Sequence, residues 1–329
     1  MRFLSTRFGA ALALAAGLCS TAALAQTQQD VNAHINAAKA AAQFDFLGTL
    51  ARLCLTPPDV KAINDTAPGP APARDTWFTE PAKVFDNLYF VGSKIHSSWA
   101  LVDPAGIILL DTLYTYNSSE EIVGGLKKLG FEPKAVKYTI ISHAHGDHVG
   151  GAKMMQDFGS RVIMGDADWA SIEKSVNGYP GGKPKRDITA TDSQVVTVGN
   201  TSVTIITTPG HTPGTLSFIF QVKDNGVPKT VAYSGGTAFN FVTAIPNFDI
   251  YIASQRKMAA AAKAANATII MSNHSEFDSA TTKIKLIAAR KPGDPHPFEL
   301  GAEAVKRYFM VSDECAQASE ARLRMLPAQ

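Results

Sequence analysis

The chain has 329 residues, enough for two average domains or for one large α/β unit. Its 45% hydrophobic and 18% charged residues are ordinary for a soluble globular protein with a large buried core. A net charge of +2, with no basic run interleaved with aromatics, gives no reason to expect a nucleic-acid or membrane-surface partner.

In chain order, the first 25 residues differ in kind from the rest. Arg2 and Arg7, the apolar stretch Ala10 to Leu18 and the small-X-small site Ala23-Leu24-Ala25 read as a secretory signal peptide. Cleavage near Ala25 would deliver a periplasmic or secreted protein. Arg-Arg is absent, which favours the general export route. Leu18 precedes Cys19 where a lipid anchor needs a small residue, and no other stretch reaches the length of a membrane span. Cys54 and Cys315 remain after cleavage. They form either a disulfide tying the N-terminal helix to the C-terminal one or two separate buried thiols.

Residues 26–329 read as one domain, with 26–75 an N-terminal helical segment and linker. Residues 30–56 are Ala-rich with apolar residues at helical spacing, as one helix or two. A Pro/Ala/Gly linker, Ala67 to Ala73, follows. Strand-like runs come next at Val84 to Val91, Trp99 to Val102 and Ile107 to Leu110, then a helix at Ser119 to Leu129 and a strand at Val136 to Ser142. The second half has strands at Arg161 to Met164, Gln194 to Val198, Thr201 to Thr207, Thr215 to Val222, Thr230 to Ser234 and Thr268 to Ser272. Its helices fall at Asp166 to Lys174, Phe248 to Ala265, Ser279 to Ala289 and Leu300 to Leu326. Strands and helices in both halves predict two packed sheets with helices outside.

After the strand ending at Ser142 the chain reads His-Ala-His-Gly-Asp-His, placing His143, His145, Asp147 and His148 within six residues of a chain with eight histidines. Imidazole nitrogen with carboxylate oxygen is a zinc ligand set, and catalytic zinc keeps a position open for water. The cluster therefore predicts a metal-dependent hydrolase. His211, in Thr-Pro-Gly-His-Thr-Pro-Gly-Thr, and His274, in Ser-Asn-His-Ser, also follow strand ends. Their separation from the cluster is too long for local structure, so only a tertiary fold could bring them to it. Pro and Gly fix the backbone around His211, as a preorganised ligand needs. His34, His96 and His296 have no ligand spacing and read as structural or surface histidines.

The His-Ala-His-Gly-Asp-His cluster, the Gly-His-Thr-Pro-Gly turn and the later strand-end histidine resemble the metallo-β-lactamase superfamily. Trp77-Phe78-Thr79-Glu80-Pro81 with Val84 to Gly92, and His296-Pro297-Phe298-Glu299-Leu300-Gly301, resemble segments of the subclass B3 zinc β-lactamases. The resemblance spans about residues 76 to 315 and implies a four-layer αβ/βα sandwich in the class α/β. It implies two Zn2+ per chain: His143, His145 and His211 on the first, Asp147, His148 and His274 on the second. Where many other superfamily members place a bridging aspartate, this chain has Gly236. That difference points to cyclic amides, the β-lactam antibiotics, as the small-molecule substrate, with antibiotic resistance as the implied role.

Zinc lowers the pKa of bound water to about 7, which suits such hydrolysis. Asp147 would be catalytic, holding the second zinc and orienting the attacking hydroxide. Ser142, Thr212 and Ser272 offer hydroxyls that could support the ligands. Three substrate contacts are expected. Trp77 either flanks the cleft or packs, Thr237 offers a hydroxyl to a substrate carboxylate, and Tyr179 tips a loop that is either a mobile cover or an exposed turn. A zinc lactonase acting on acyl-homoserine lactones is the alternative, with the missing aspartate against it. A non-catalytic zinc-binding protein is disfavoured by the complete ligand set. Oligomeric state is left open.

Overall fold

The apolar runs assemble into two sheets in a computed structural model that describes residues 26–54, 71–175, 179, 181–239 and 244–326. The first sheet holds β1 (Ala82–Lys83), β2 (Leu88–Phe90), β3 (Trp99–Asp103), β4 (Gly106–Leu110), β5 (Val136–Ile140), β6 (Arg161–Met164) and β7 (Ile188–Thr189), in that spatial order. It is antiparallel up to β4 and parallel from β4 to β7. The second holds β8 (Val195–Val198), β9 (Thr201–Thr207), β10 (Leu216–Asp224), β11 (Val227–Ser234) and β12 (Ile269–Ser272), ordered β12-β11-β10-β9-β8. Of these pairs only β11 with β12 is parallel.

Strand β4, Gly-Ile-Ile-Leu-Leu, is buried throughout, as an uninterrupted apolar run in a central strand should be. Leu101, Ile108, Leu110 and Ile140 of the first sheet face Val203, Phe218, Val231 and Met271 of the second. On the outer faces, Ala100, Ile107 and Leu109 pack with Ile122, Leu126 and Met155, while Ile206, Ala232 and Ile270 pack with Met258, Tyr308 and Phe309. The order is helix, sheet, sheet, helix, the expected four-layer αβ/βα sandwich.

The Ala-rich segment forms two helices, Gln28–Ala42 and Leu47–Cys54. A capping box between Thr27 and Asp30 starts the first. Cys54 and Cys315 are disulfide-bonded, pinning the second to helix Ala302–Met325 across 261 residues of sequence. The expected strand Val84 to Val91 is interrupted, since the chain turns back at residues 84–87 with the Val84 and Phe85 N–H groups both donating to the Leu88 carbonyl. The helix expected at Ser119 to Leu129 begins as a π-helix, Ser119–Gly124, and continues as Gly125–Lys128. The signal segment 1–25 and most of the linker lie outside the described residues. No described helix is long and apolar enough to cross a membrane.

The fold brings strand ends together. β4, β5, β11 and β12 run out at Leu110, Ile140, Ser234 and Ser272. The Leu216 N–H donates to the Ser142 carbonyl at 2.8 Å, so the two sheets are stitched just where the histidine cluster begins.

Candidate metal centre

His143 and His145 occupy the loop after β5, and the short helix Gly146–Val149 carries Asp147 and His148. His211 is held by a turn in which the Gly210 N–H donates to the Thr212 carbonyl. The Thr212 hydroxyl donates to buried Asp168, which also accepts the Ala144 and Gly214 N–H groups. One carboxylate thus joins the two ligand loops. Gly210 has φ of +147° and its missing side chain lets the turn lie against Tyr251.

In the first group, the His143 Nε2 lies 3.0 Å from the His211 Nε2, which is also 3.0 Å from the His145 Nδ1. The His143 Nδ1 faces the Gly235 carbonyl at 2.9 Å and the His211 Nδ1 faces the Ala238 carbonyl at 2.6 Å. A carbonyl only accepts, so both Nδ1 atoms carry protons and both Nε2 lone pairs point at each other. Burial, with the neighbouring imidazoles, holds His143 well below its ordinary pKa and His211 at about 3, so protonation does not relieve the clash. A shared cation does.

In the second group, the Asp147 Oδ2 is 3.1 Å from both His148 Nε2 and His274 Nε2, which are 3.1 Å from each other. Burial would lower the His148 pKa, but the Asp147 and Asp111 carboxylates outweigh it and raise it to about 10. Burial pushes Asp147 up, yet His148 and His274 bring it well below its usual value. The pocket therefore demands positive charge, which a metal can supply in place of the His148 proton. The donors of His143, His145 and His211 lie within 4.8 Å of one another, as do those of His143, Asp147 and His148, so the two positions adjoin. The six ligand residues inferred from the sequence converge, and their donor set fits a metal-binding role.

The structure also reveals a supporting residue that sequence reasoning missed. Asp111, just after β4, accepts the Ser142 N–H on Oδ1 at 2.6 Å and, on Oδ2, the Ser142 hydroxyl at 2.8 Å and the His148 Nδ1 at 3.0 Å. It fixes the His148 tautomer with Nε2 free for a metal. An acidic residue ending an apolar strand was the available signal. Of the three hydroxyls expected to help, Ser142 also lies 3.1 Å from the His143 Nδ1, Thr212 acts through Asp168, and Ser272 accepts the His274 backbone N–H at 3.5 Å besides contacting Asn273 and Thr237. Gly236 packs on His211: an added Cβ would lie 2.6 Å from the His211 Cβ and 2.8 Å from Thr215 Cγ2. No side chain, and so no bridging carboxylate, fits there.

Two readings are corrected. Thr237 is buried and its hydroxyl contacts Ser234, Ser272 and Tyr308 at 3.0, 3.2 and 2.6 Å, so it does not offer itself to substrate. His96 is not remote: its Nε2 lies 3.4 Å from the Asp147 Oδ2, and burial with nearby His274 lowers its pKa to about 3. Sequence spacing gave no hint of it. His34 and His296 are structural as expected, the first on Glu314, the second stacked on Phe85. Trp77 meets Tyr116 edge-on at 6.0 Å, Tyr116 stacks on Tyr114 at 5.1 Å, and Tyr114 stands edge-on to His96 at 5.1 Å. An aromatic row therefore leads from Trp77 to the metal cluster. Tyr179 packs, with Ala144, against the cluster of Ile141, Met164 and Trp169; Gly178 and Pro180 lie outside the described residues.

The molecule is a two-sheet sandwich with helices outside and adjoining His/Asp groups able to hold metal at its strand ends. The sequence model described as Metallo-beta-lactamase superfamily matches residues 91–227. BJP-1, a subclass B3 metallo-beta-lactamase of Bradyrhizobium japonicum, superposes with a TM-score of 0.60 at 28% identity, over 70% of this chain and 89% of that one. An N-acyl homoserine lactonase of Bacillus sp is 30% identical over 145 residues, 39% of this chain and 50% of its own length. A hydroxyacylglutathione hydrolase of Acidiphilium cryptum (strain JF-5) is 30% identical over 84 residues, 25% of this chain and 30% of its own. The chain spans about half the length of the first curated relatives it matches. Residues 91–227 thus match a metallo-beta-lactamase domain.

Proposed function

We propose that this chain is a zinc-dependent hydrolase that opens the β-lactam ring, working in the periplasm or outside the cell. The observation that carries the reading is Gly236, pressed against His211 with no room for a bridging carboxylate, beside the clustered donors of His143, His145 and His211 and of Asp147, His148 and His274. The likeness to a subclass B3 β-lactamase supports it. His143, His145 and His211 would hold one zinc, and Asp147, His148 and His274 the other. Zinc, when bound, supplies a Lewis acid for the carbonyl and water acidic enough to react near neutral pH.

The chain's own groups do the rest. Asp147 is the only carboxylate in the two ligand groups, and it can take a proton from the attacking water and return that proton to the departing ring nitrogen. The Trp77, Tyr116 and Tyr114 row forms an apolar wall for the substrate's side chain. A lactonase reading is kept because the lactonase relative is 30% identical over 145 residues. Purified protein would be offered a cephalosporin, a carbapenem and an acyl-homoserine lactone, with and without chelator. Chelator-sensitive β-lactam turnover is expected; lactone opening without it would replace the first reading with the second. An N-terminus at Gln26 in exported protein would check the localisation.

A further inference from the structure

We propose that His96 is a fourth protein ligand at the metal position of Asp147, His148 and His274. The proposal rests on reading that group as a metal site and not on the substrate assigned to it. His96 and His274 form an antiparallel bridge between the loop before β3 and the end of β12. Two backbone hydrogen bonds flank it, Ser97 N–H to the Asn273 carbonyl at 2.8 Å and Ser275 N–H to the Ile95 carbonyl at 2.7 Å. Residues directly opposed in an antiparallel pair send their side chains to the same face. The two imidazole centres are accordingly 4.9 Å apart.

The distances suit coordination. Zinc sits about 2.0–2.1 Å from imidazole nitrogen, so two ligands at a tetrahedral angle lie about 3.4 Å apart. His96 Nε2 is 3.4 Å from the Asp147 Oδ2, long for a charge-assisted hydrogen bond and right for a shared metal. The donor atoms of His96, Asp147 and His274 all lie within 4.8 Å of one another. His96 is largely buried, with Tyr114 edge-on at 5.1 Å. Three imidazoles and a carboxylate would leave this position fewer places for a substrate group than the triad alone.

The test is cobalt titration of zinc-stripped wild-type protein, His96→Ala and His96→Gln against a competing chelator. Wild type should take up two equivalents. Both variants should bind the first as wild type does and the second about tenfold or more weaker, with an altered visible spectrum for that equivalent alone. A smaller loss with an unchanged spectrum overturns the proposal. If the variants do not fold, paramagnetic NMR of dicobalt wild type decides. Six hyperfine-shifted imidazole N–H signals are expected, five from the two triads plus His96; five signals overturn it. A wild-type chain that takes up a single cobalt overturns both this proposal and the two-metal reading, whereas absent β-lactam turnover leaves it standing.

Discussion

Asp111→Asn isolates the role of a residue that touches no metal. Its two oxygens are differently engaged: Oδ1 accepts the Ser142 N–H, and Oδ2 accepts the Ser142 hydroxyl and the His148 Nδ1. Asparagine keeps the shape but turns one acceptor into a donor. The backbone N–H of Ser142 has no alternative role, so the amide oxygen must stay there and the amide NH2 must face His148. That forces the His148 proton from Nδ1 to Nε2, the atom that points at Asp147 and His274. A ligand with the wrong tautomer, and a lost charge-assisted hydrogen bond of about 1.5–3 kcal/mol, should weaken the second metal. The expected loss is about 10- to 100-fold, or about 1.4–2.7 kcal/mol. Stepwise zinc titration against a chelator reads it, and the first equivalent should be nearly unaffected. A second zinc bound at wild-type affinity by the Asn variant would refute the tautomer argument.

Asp147→Ala should lower turnover at least about 100-fold, a barrier increase of about 2.7 kcal/mol, while the three-histidine position keeps its metal; near wild-type rates would show the second position to be dispensable. Gly236→Asp should not gain a bridging ligand, because its Cβ would displace His211; zinc titration should show a weakened first position, and undiminished affinity would contradict the close-packing account. Burial, partly opposed by the Thr79 N–H and reinforced by Glu120, raises the Glu121 carboxyl to about 8. The folded chain then holds a proton that the unfolded chain releases near 4.5, so this stabilisation is complete below that pH and is lost as pH rises through about 8. Glu121→Gln, neutral throughout, should gain on wild type in urea midpoint between about pH 5 and about pH 8; parallel profiles would count against the assignment.

The candidate ligands could be picked out because each sits in a recognisable local context. His143 through His148 share one loop and one helical turn, and His211 and His274 each follow an apolar run that ends in turn residues. The two-sheet sandwich was legible for a similar reason, since β4, β9 and β12 carry their burial in their own apolar pattern. Short elements such as helix Ala152–Asp157 and β7 carry too few residues to show a period, and they went unseen.

Which stretches must be buried follows from apolar periodicity within a few residues, and the clustered His and Asp side chains mark themselves as candidate ligands by their type and neighbours. Tertiary structure alone decided how those groups are paired. Asp111 reaches His148 across 37 positions, His96 reaches His274 through a β-bridge between distant segments, and Thr237 is turned inward onto Tyr308 from a helix far along the chain. No local preference encodes such contacts. They arise because burying the two sheets fixes where strand ends meet, and only there do the protonation, orientation and exposure of each side chain acquire definite values.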